Sequence, residues 1–206
     1  MILVNKRAMV GGLLVLGLAA CAKKPAAGPL PDDMSLGNAA AKVTVIEYAS
    51  VGCPICGAWY REVFPSFKAK YIDTGRVHFI SREMLVGNSS EVALAAAGFL
   101  LARCAGKDKY FTVTGAIYKG QTAAYADPHG FLLNLAKSFG FDDASFDACV
   151  TDRAALNALN ARVDAYANTD KVTATPTFVI NGKSLEPGYH PLRDLDAAIA
   201  AAQSPS

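Results

Sequence analysis

Val43-Thr44-Val45-Ile46-Glu47-Tyr48-Ala49-Ser50-Val51-Gly52-Cys53-Pro54-Ile55-Cys56 is the stretch on which the fold turns. Its first seven residues are β-branched and apolar, which predicts a strand over 43–49. After Cys56, residues Trp59, Tyr60, Val63, Phe64 and Phe67 recur at helical spacing, which predicts a helix of roughly 54–71. Cys53 therefore falls at the mouth of a helix. Pro54 suits the first helical position, because it has no amide hydrogen to leave unpaired and its φ is already near the helical value. Cys56, three residues on, returns to the same face. A sulfur at a helix N-terminus feels the positive end of the helix dipole and nearby unpaired amides, and both favour thiolate over thiol. The local reading is a nucleophilic sulfur with a partner in reach.

Working outward, Arg76-Val77-His78-Phe79-Ile80-Ser81 reads as a second strand, so the opening is a βαβ unit. From about Asn88 to Asp170 the pattern is helical, with helices expected over 89–105, 108–119, 128–139, 143–150 and 152–168. Gly106, Gly120, Asp127-Pro128 and Gly140 punctuate them. Strand character returns at Thr177-Phe178-Val179-Ile180, Asn181-Gly182 signals a two-residue hairpin into Lys183-Ser184-Leu185, and a last helix spans about Pro191 to Ala202. The order is βαβ, a helical insertion, then ββα: an α/β chain with no repeat of fixed period.

The N-terminus reads as an export signal. Met1 to Arg7 carries Lys6 and Arg7 without an acid, and Ala8 to Ala20 is uncharged and apolar. This apolar run of 13 residues is shorter than the roughly 20 that a membrane-spanning helix needs. It ends in Leu18-Ala19-Ala20-Cys21, which resembles the bacterial lipoprotein cleavage motif, with Cys21 as the lipidated residue; the alternative is an ordinary signal peptide with Cys21 a bystander. With 1–20 removed, acyl chains on Cys21 would tether the chain without spanning the bilayer. Residues 21–41, rich in proline, glycine and charge, read as a flexible leader. Loss of Lys6 and Arg7 brings the balance of 20 basic and 18 acidic residues to neutrality, so no basic face for nucleic acid is implied.

The five cysteines fit an oxidising compartment. If Cys21 is modified, four remain: Cys53 with Cys56, and Cys104 with Cys149. A structural disulfide between Cys104 and Cys149, pinning two helices, is expected; two separate buried free cysteines are the alternative. Zinc is disfavoured, because four ligands are normally needed and His78, His129 and His190 are scattered, so no metal site is expected. Asn88-Ser89-Ser90 matches a glycosylation sequon, a chance match beside a bacterial-looking lipid signal. No glycine-rich dinucleotide or phosphate loop appears, so no NAD or ATP chemistry is indicated and no cofactor is expected beyond the redox-active disulfide itself.

The order of elements, Cys53-Pro54-Ile55-Cys56 at the strand-to-helix junction, and Ala174-Thr175-Pro176-Thr177-Phe178 leading into Asn181-Gly182 together resemble the DsbA type of thiol:disulfide oxidoreductase, a thioredoxin-like fold with an inserted α-helical domain. The resemblance runs from about Lys42 to Ala202. It implies a discontinuous thioredoxin-like domain (42–87 and 171–206) around a helical insertion (88–170). It also implies Cys53 as the attacking sulfur, Cys56 as the resolving one, and Pro176 as a cis-proline facing them. Thr175 and Pro176 would hold an extended substrate chain, and Glu47 would be a buried acid assisting proton movement at Cys56; a solvent-facing strand residue is the other reading of Glu47. Expected partners are exported proteins with free thiols and a DsbB-type membrane quinone reductase, or a membrane reductant if the flow is reversed. The protein is expected as a lipid-anchored monomer on the periplasmic, extracytoplasmic side.

Two departures bear on direction. The DsbA pattern has histidine where this chain has Ile55, which predicts a less oxidising pair. Thr175 stands where valine is usual in the best-known oxidases of this type, and threonine is familiar from disulfide isomerases. Isomerases, however, resemble thioredoxin domains joined to a dimerisation domain, and only the leader precedes strand 43–49. Disulfide oxidase is the reading, with isomerase or reductase as its alternative. From another class comes a non-enzymatic lipoprotein that uses the same surface to bind a partner or a metal.

Overall fold

The computed structural model describes residues 28–204; the signal over 1–20 and Cys21 lie outside the described residues. A five-stranded sheet runs in the order β1-β3-β2-β4-β5. Its strands are β1 (Met34–Gly37), β2 (Val43–Ala49), β3 (Val77–Glu83), β4 (Thr177–Ile180) and β5 (Lys183–Ser184). The β2 and β3 pair is parallel and the other pairings are antiparallel. Between β2 and β3 lie α1 (Pro54–Glu62), α2 (Phe64–Phe67) and a π-helical turn at Lys68–Ile72. Between β3 and β4 come α3 (Ser89–Cys104), α4 (Lys107–Lys119), α5 (Gln121–Ala126), α6 (Pro128–Ser138), α7 (Asp143–Val150) and α8 (Arg153–Thr169). The last helix, α9, is Leu192–Gln203.

Alternation along the strands sends the apolar side chains to both faces of the sheet. Val43, Val45, Phe79, Phe178 and Ile180 pack with Trp59, Phe67, Leu195 and Ile199 from α1, α2 and α9. On the opposite face Ile46, Tyr48, Ile80 and Val179 meet Tyr166 of α8 and Val172. The inserted helices build their own core from Phe99, Tyr110, Ile117, Leu132, Phe146 and Leu159. That core also takes in Val51, Cys53 and Cys56, so the cysteine pair sits on the seam between lobe and sheet. Glu83, at the end of β3, ties the two parts together: one carboxylate oxygen accepts from Arg103 of α3 at 2.6 Å and Tyr110 of α4 at 3.2 Å, the other from Arg162 of α8 at 2.8 Å.

Three expectations are corrected. The flexible leader expected over 21–41 holds an edge strand: Met34–Gly37 pairs with β3 from Met34 opposite Ser81 to Gly37 opposite His78. Its anchor is the buried guanidinium of Arg82, which donates to both carboxylate oxygens of Asp33, at 3.0 Å each, and to the Gly28 carbonyl at 2.6 Å. The single helix of 54–71 is broken: α1 stops at Glu62 and Pro65, which has no N–H to give, opens α2. The region around 120–127, expected as punctuation, holds the extra helix α5.

Candidate active site

Cys53 is the N-cap residue of α1, with extended backbone (φ −91°, ψ 121°) and Pro54 just inside the helix. Its sulfur accepts the Cys56 N–H at 3.4 Å and lies 3.6 Å from the Thr175 carbonyl oxygen. Cys53 is 8% exposed and Cys56 is fully buried; both are unbonded thiols in this structure. Ile55 between them is 50% exposed, so the surface over the pair is apolar and open.

The two thiols are driven apart in acidity. Cys53 is lowered from 9.0 to about 6, foremost by the hydrogen bond from the Cys56 thiol; burial opposes this, and the Thr175 side chain and the N–H groups of Cys56 and Ile55 add to it. Cys56 is pushed well up, by burial first and then by its contacts with the Cys53 sulfur. An anionic outer sulfur beside a protonated inner one is the division of labour that exchange requires. Thr175 Oγ1 is buried and has no hydrogen-bond partner in ordinary geometry among the described residues. It favours the thiolate at both sulfurs.

Pro176 follows Thr175 through a cis peptide bond, and its carbonyl accepts the Gly188 N–H at 2.8 Å. Glu47 lies on β2, between Ser81 of β3 and Phe178 of β4. At 5% exposure it does not face solvent. Burial, with the negative charge of Cys53 second, raises its carboxyl from 4.5 to about 8. Cys53, Cys56, Thr175, Pro176 and Glu47, drawn from two segments more than a hundred residues apart, are thus gathered at one end of the central strands. Trp59 and Tyr60 serve packing: Trp59 is buried against Phe178 at 4.8 Å and Tyr60 stacks on Phe64 and Tyr118.

The family is now decided. A family model described as thioredoxin matches residues 30–200. The chain belongs to the thioredoxin family. Among solved structures it is similar to alpha-DsbA1 of Wolbachia pipientis, with a TM-score of 0.74, 26% identity, and coverage of 84% of this chain and 92% of that one. A Rickettsia bellii protein named as a protein-disulfide oxidoreductase is 29% identical over 171 residues, covering 82% of this chain and 63% of the relative. Disulfide bond formation protein D of Bacillus anthracis, so named, is 27% identical over 165 residues, covering 77% of this chain and 74% of the relative. The chain spans about three fifths of the length of the Rickettsia relatives it matches.

Away from this site, Cys104 of α3 and Cys149 of α7 are joined by a disulfide, with Cα atoms 6.0 Å apart. Among the described residues there is no cluster of side chains fit to hold a metal ion, and no helix is long and apolar enough to cross a membrane. Sequence reasoning missed Gln121 and Tyr125 of α5, which reach the loop in front of Cys53. No motif marks them, and only the glycines beside the cysteine pair hint that something approaches the loop closely.

Proposed function

We propose that the protein is an extracytoplasmic thiol:disulfide oxidoreductase that forms disulfides in exported proteins by exchange through Cys53 and Cys56. The observation that carries this reading is the Cys53 sulfur, capping α1 and lowered to about 6 while its buried partner is pushed up. In the oxidised protein a substrate thiolate attacks Cys53 Sγ. The Cys53–Cys56 bond breaks, the mixed disulfide forms, and Cys56 leaves as a thiolate that takes up a proton. Glu47, protonated up to about pH 8, is the group suited to supply it. A second substrate thiolate then attacks the substrate sulfur of the mixed bond, Cys53 leaves as the better thiolate, and two electrons have passed from substrate to protein.

Thr175 and Pro176 would line up the extended substrate chain beside Cys53. A membrane quinone reductase of the DsbB type would take the two electrons and restore the disulfide. Lipid on Cys21 would hold the protein, as a monomer, at the membrane surface. The names of the relatives, a protein-disulfide oxidoreductase and a disulfide bond formation protein, support this chemistry. The neutral Ile55 favours a milder couple, and threonine at 175 is the residue familiar from disulfide isomerases, so an isomerase or reductase is kept as the second reading.

Two measurements test the proposal. In cells making Cys56→Ala, mixed disulfides between Cys53 and exported proteins should accumulate; their absence together with co-purifying metal would support a binding lipoprotein instead. The equilibrium of the pair with glutathione sets direction, and a potential at the thioredoxin end of the scale, near −270 mV, would overturn the oxidase reading.

A further inference from the structure

The loop that carries the nucleophile is held by the inserted helices. Three successive carbonyls, those of Val51, Gly52 and Cys53, each accept a hydrogen bond from α5. Gln121 Nε2 donates to Val51 O at 2.9 Å and to Cys53 O at 3.0 Å, and Tyr125 Oη donates to Gly52 O at 3.1 Å. Residues 121 and 125 are one helical turn apart and so share a face. Gln121 is 3% exposed, and the orientation of its amide is fixed by its surroundings. Oε1 faces Arg61 Nη1, which can only donate, at 3.2 Å, leaving both amide hydrogens for the two carbonyls. Glycines on either side of Cys53 permit the close packing of the inserted helices. A Cβ on Gly57 would stand 1.8 Å from Gln121 Oε1, and one on Gly52 would stand 2.1 Å from the Glu91 carbonyl oxygen of α3.

We infer that Gln121 and Tyr125 are positioning residues through which the helical insertion sets the acidity and redox equilibrium of Cys53. The inference rests on the reading of Cys53 as the attacking sulfur. Cys53 O already accepts the Gly57 N–H at 3.1 Å; Gln121 adds a second, lateral bond that fixes the plane of this peptide. That plane determines whether Sγ stays over the Cys56 N–H. The bond from the Cys56 N–H stabilises the charged thiolate and leaves a neutral disulfide nearly untouched, so the clamp stabilises the reduced form selectively.

The test uses the full chain with Gln121→Met, which keeps the length and removes both donors, with Tyr125→Phe, which removes one hydroxyl, and with the two combined. Gln121→Met is expected to raise the apparent pKa of Cys53, read from the pH profile of its alkylation, by about half to one unit. The glutathione equilibrium should shift about threefold to tenfold toward the oxidised pair. Tyr125→Phe should move both in the same direction by less. A role confined to structure would lower the denaturation midpoints of oxidised and reduced protein equally and leave both readouts where they are, and that result overturns the inference. Should Gln121→Met fail to fold, Tyr125→Phe decides alone. If Cys53 of the unaltered protein titrates near 9, the proposed function fails; if it titrates low and the variants do not differ from it, only the clamp is lost.

Discussion

The Cys53 sulfur and the Thr175 carbonyl oxygen lie 3.6 Å apart although 122 residues separate them. The first caps a helix that leaves β2, and the second belongs to the loop that enters β4, the strand hydrogen-bonded to β2. Antiparallel pairing of β2 with β4, Glu47 opposite Phe178 and Tyr48 opposite Thr177, fixes that approach. The sheet register is therefore what assembles the two halves of the site.

Thr175→Val tests the hydroxyl at this junction. The two side chains are nearly the same shape, and the buried Oγ1 makes no hydrogen bond of ordinary geometry among the described residues, so stability should change by less than about 1 kcal/mol. Because that hydroxyl favours the thiolate at both sulfurs, its removal should move the Cys53 midpoint above its value of about 6. Iodoacetamide kinetics across pH 4 to 9 read the shift; an unmoved midpoint would remove Thr175 Oγ1 from the list of groups that set it.

Glu47→Gln should stabilise the protein, and the gain should depend on pH. The Glu47 carboxyl titrates near 4.5 in the unfolded chain and about 8 when folded, so the unfolded chain releases the proton first. Its cost to folding is absent below pH 4.5, grows through neutrality and is complete above 8. Removing the ionisable group should stabilise by on the order of 3 kcal/mol at pH 7 and by almost nothing at pH 4. Urea unfolding at the two pH values checks this. The same variant should slow substrate turnover if Glu47 supplies the proton to Cys56, and an unchanged rate would assign the acid no part in exchange.

Most of this fold could be read from local signals, and the exceptions share a cause. The strand before Cys53, the proline at the first helical position and the hairpin at Asn181-Gly182 are short-range features whose residues act on their own backbone. Strand β1 carries no such signal: Met34-Ser35-Leu36-Gly37 has no β-branched residue, and its place is set by Arg82, far along the chain, binding Asp33. Pro65 does announce the break after α1, but the apolar periodicity running on to Phe67 and Tyr71 masks it. Helix α5 follows directly on Gly120, which reads as a stop. The partners of Gln121 all lie about 60 to 70 residues earlier, so nothing around it could mark it as part of the site.

Arg82→Met should be among the most damaging single changes outside the site. The guanidinium is buried, pairs with Asp33 and Asp170, and donates to the Tyr48 hydroxyl at 2.7 Å. Its loss strands the buried carboxylate of Asp33, a defect that costs about 3–5 kcal/mol. The variant should also free residues 28–37 from the edge of the sheet, so limited proteolysis should cut there while the rest of the chain stays intact. Adding Asp33→Asn should return part of the stability. Loss of less than about 1 kcal/mol in Arg82→Met would show that the leader does not depend on this anchor.

Cys104 and Cys149 close a loop of 45 residues, and in the chain-entropy picture such a crosslink stabilises by about 4 kcal/mol, an upper-end figure. Cys149 is buried and Cys104 is exposed, so a reductant can reach the bond from the α3 side. It lies in the helical lobe, away from Cys53 and Cys56, and its residues line a surface recess of about 340 Å³ with Leu100, Arg103 and Asp152. The double variant Cys104→Ala/Cys149→Ala should therefore lose stability by about 2–4 kcal/mol while insulin reduction or substrate oxidation through Cys53 and Cys56 proceeds at nearly the original rate below the unfolding temperature. Arg103, next to Cys104, binds Glu83 at 2.6 Å, so this ion pair is one route by which the disulfide could act on the sheet that carries the active site. A fall in exchange rate that Glu83→Gln reproduces would show the two disulfide centres to be coupled; a fall in stability alone assigns Cys104 and Cys149 to holding α3 against α7.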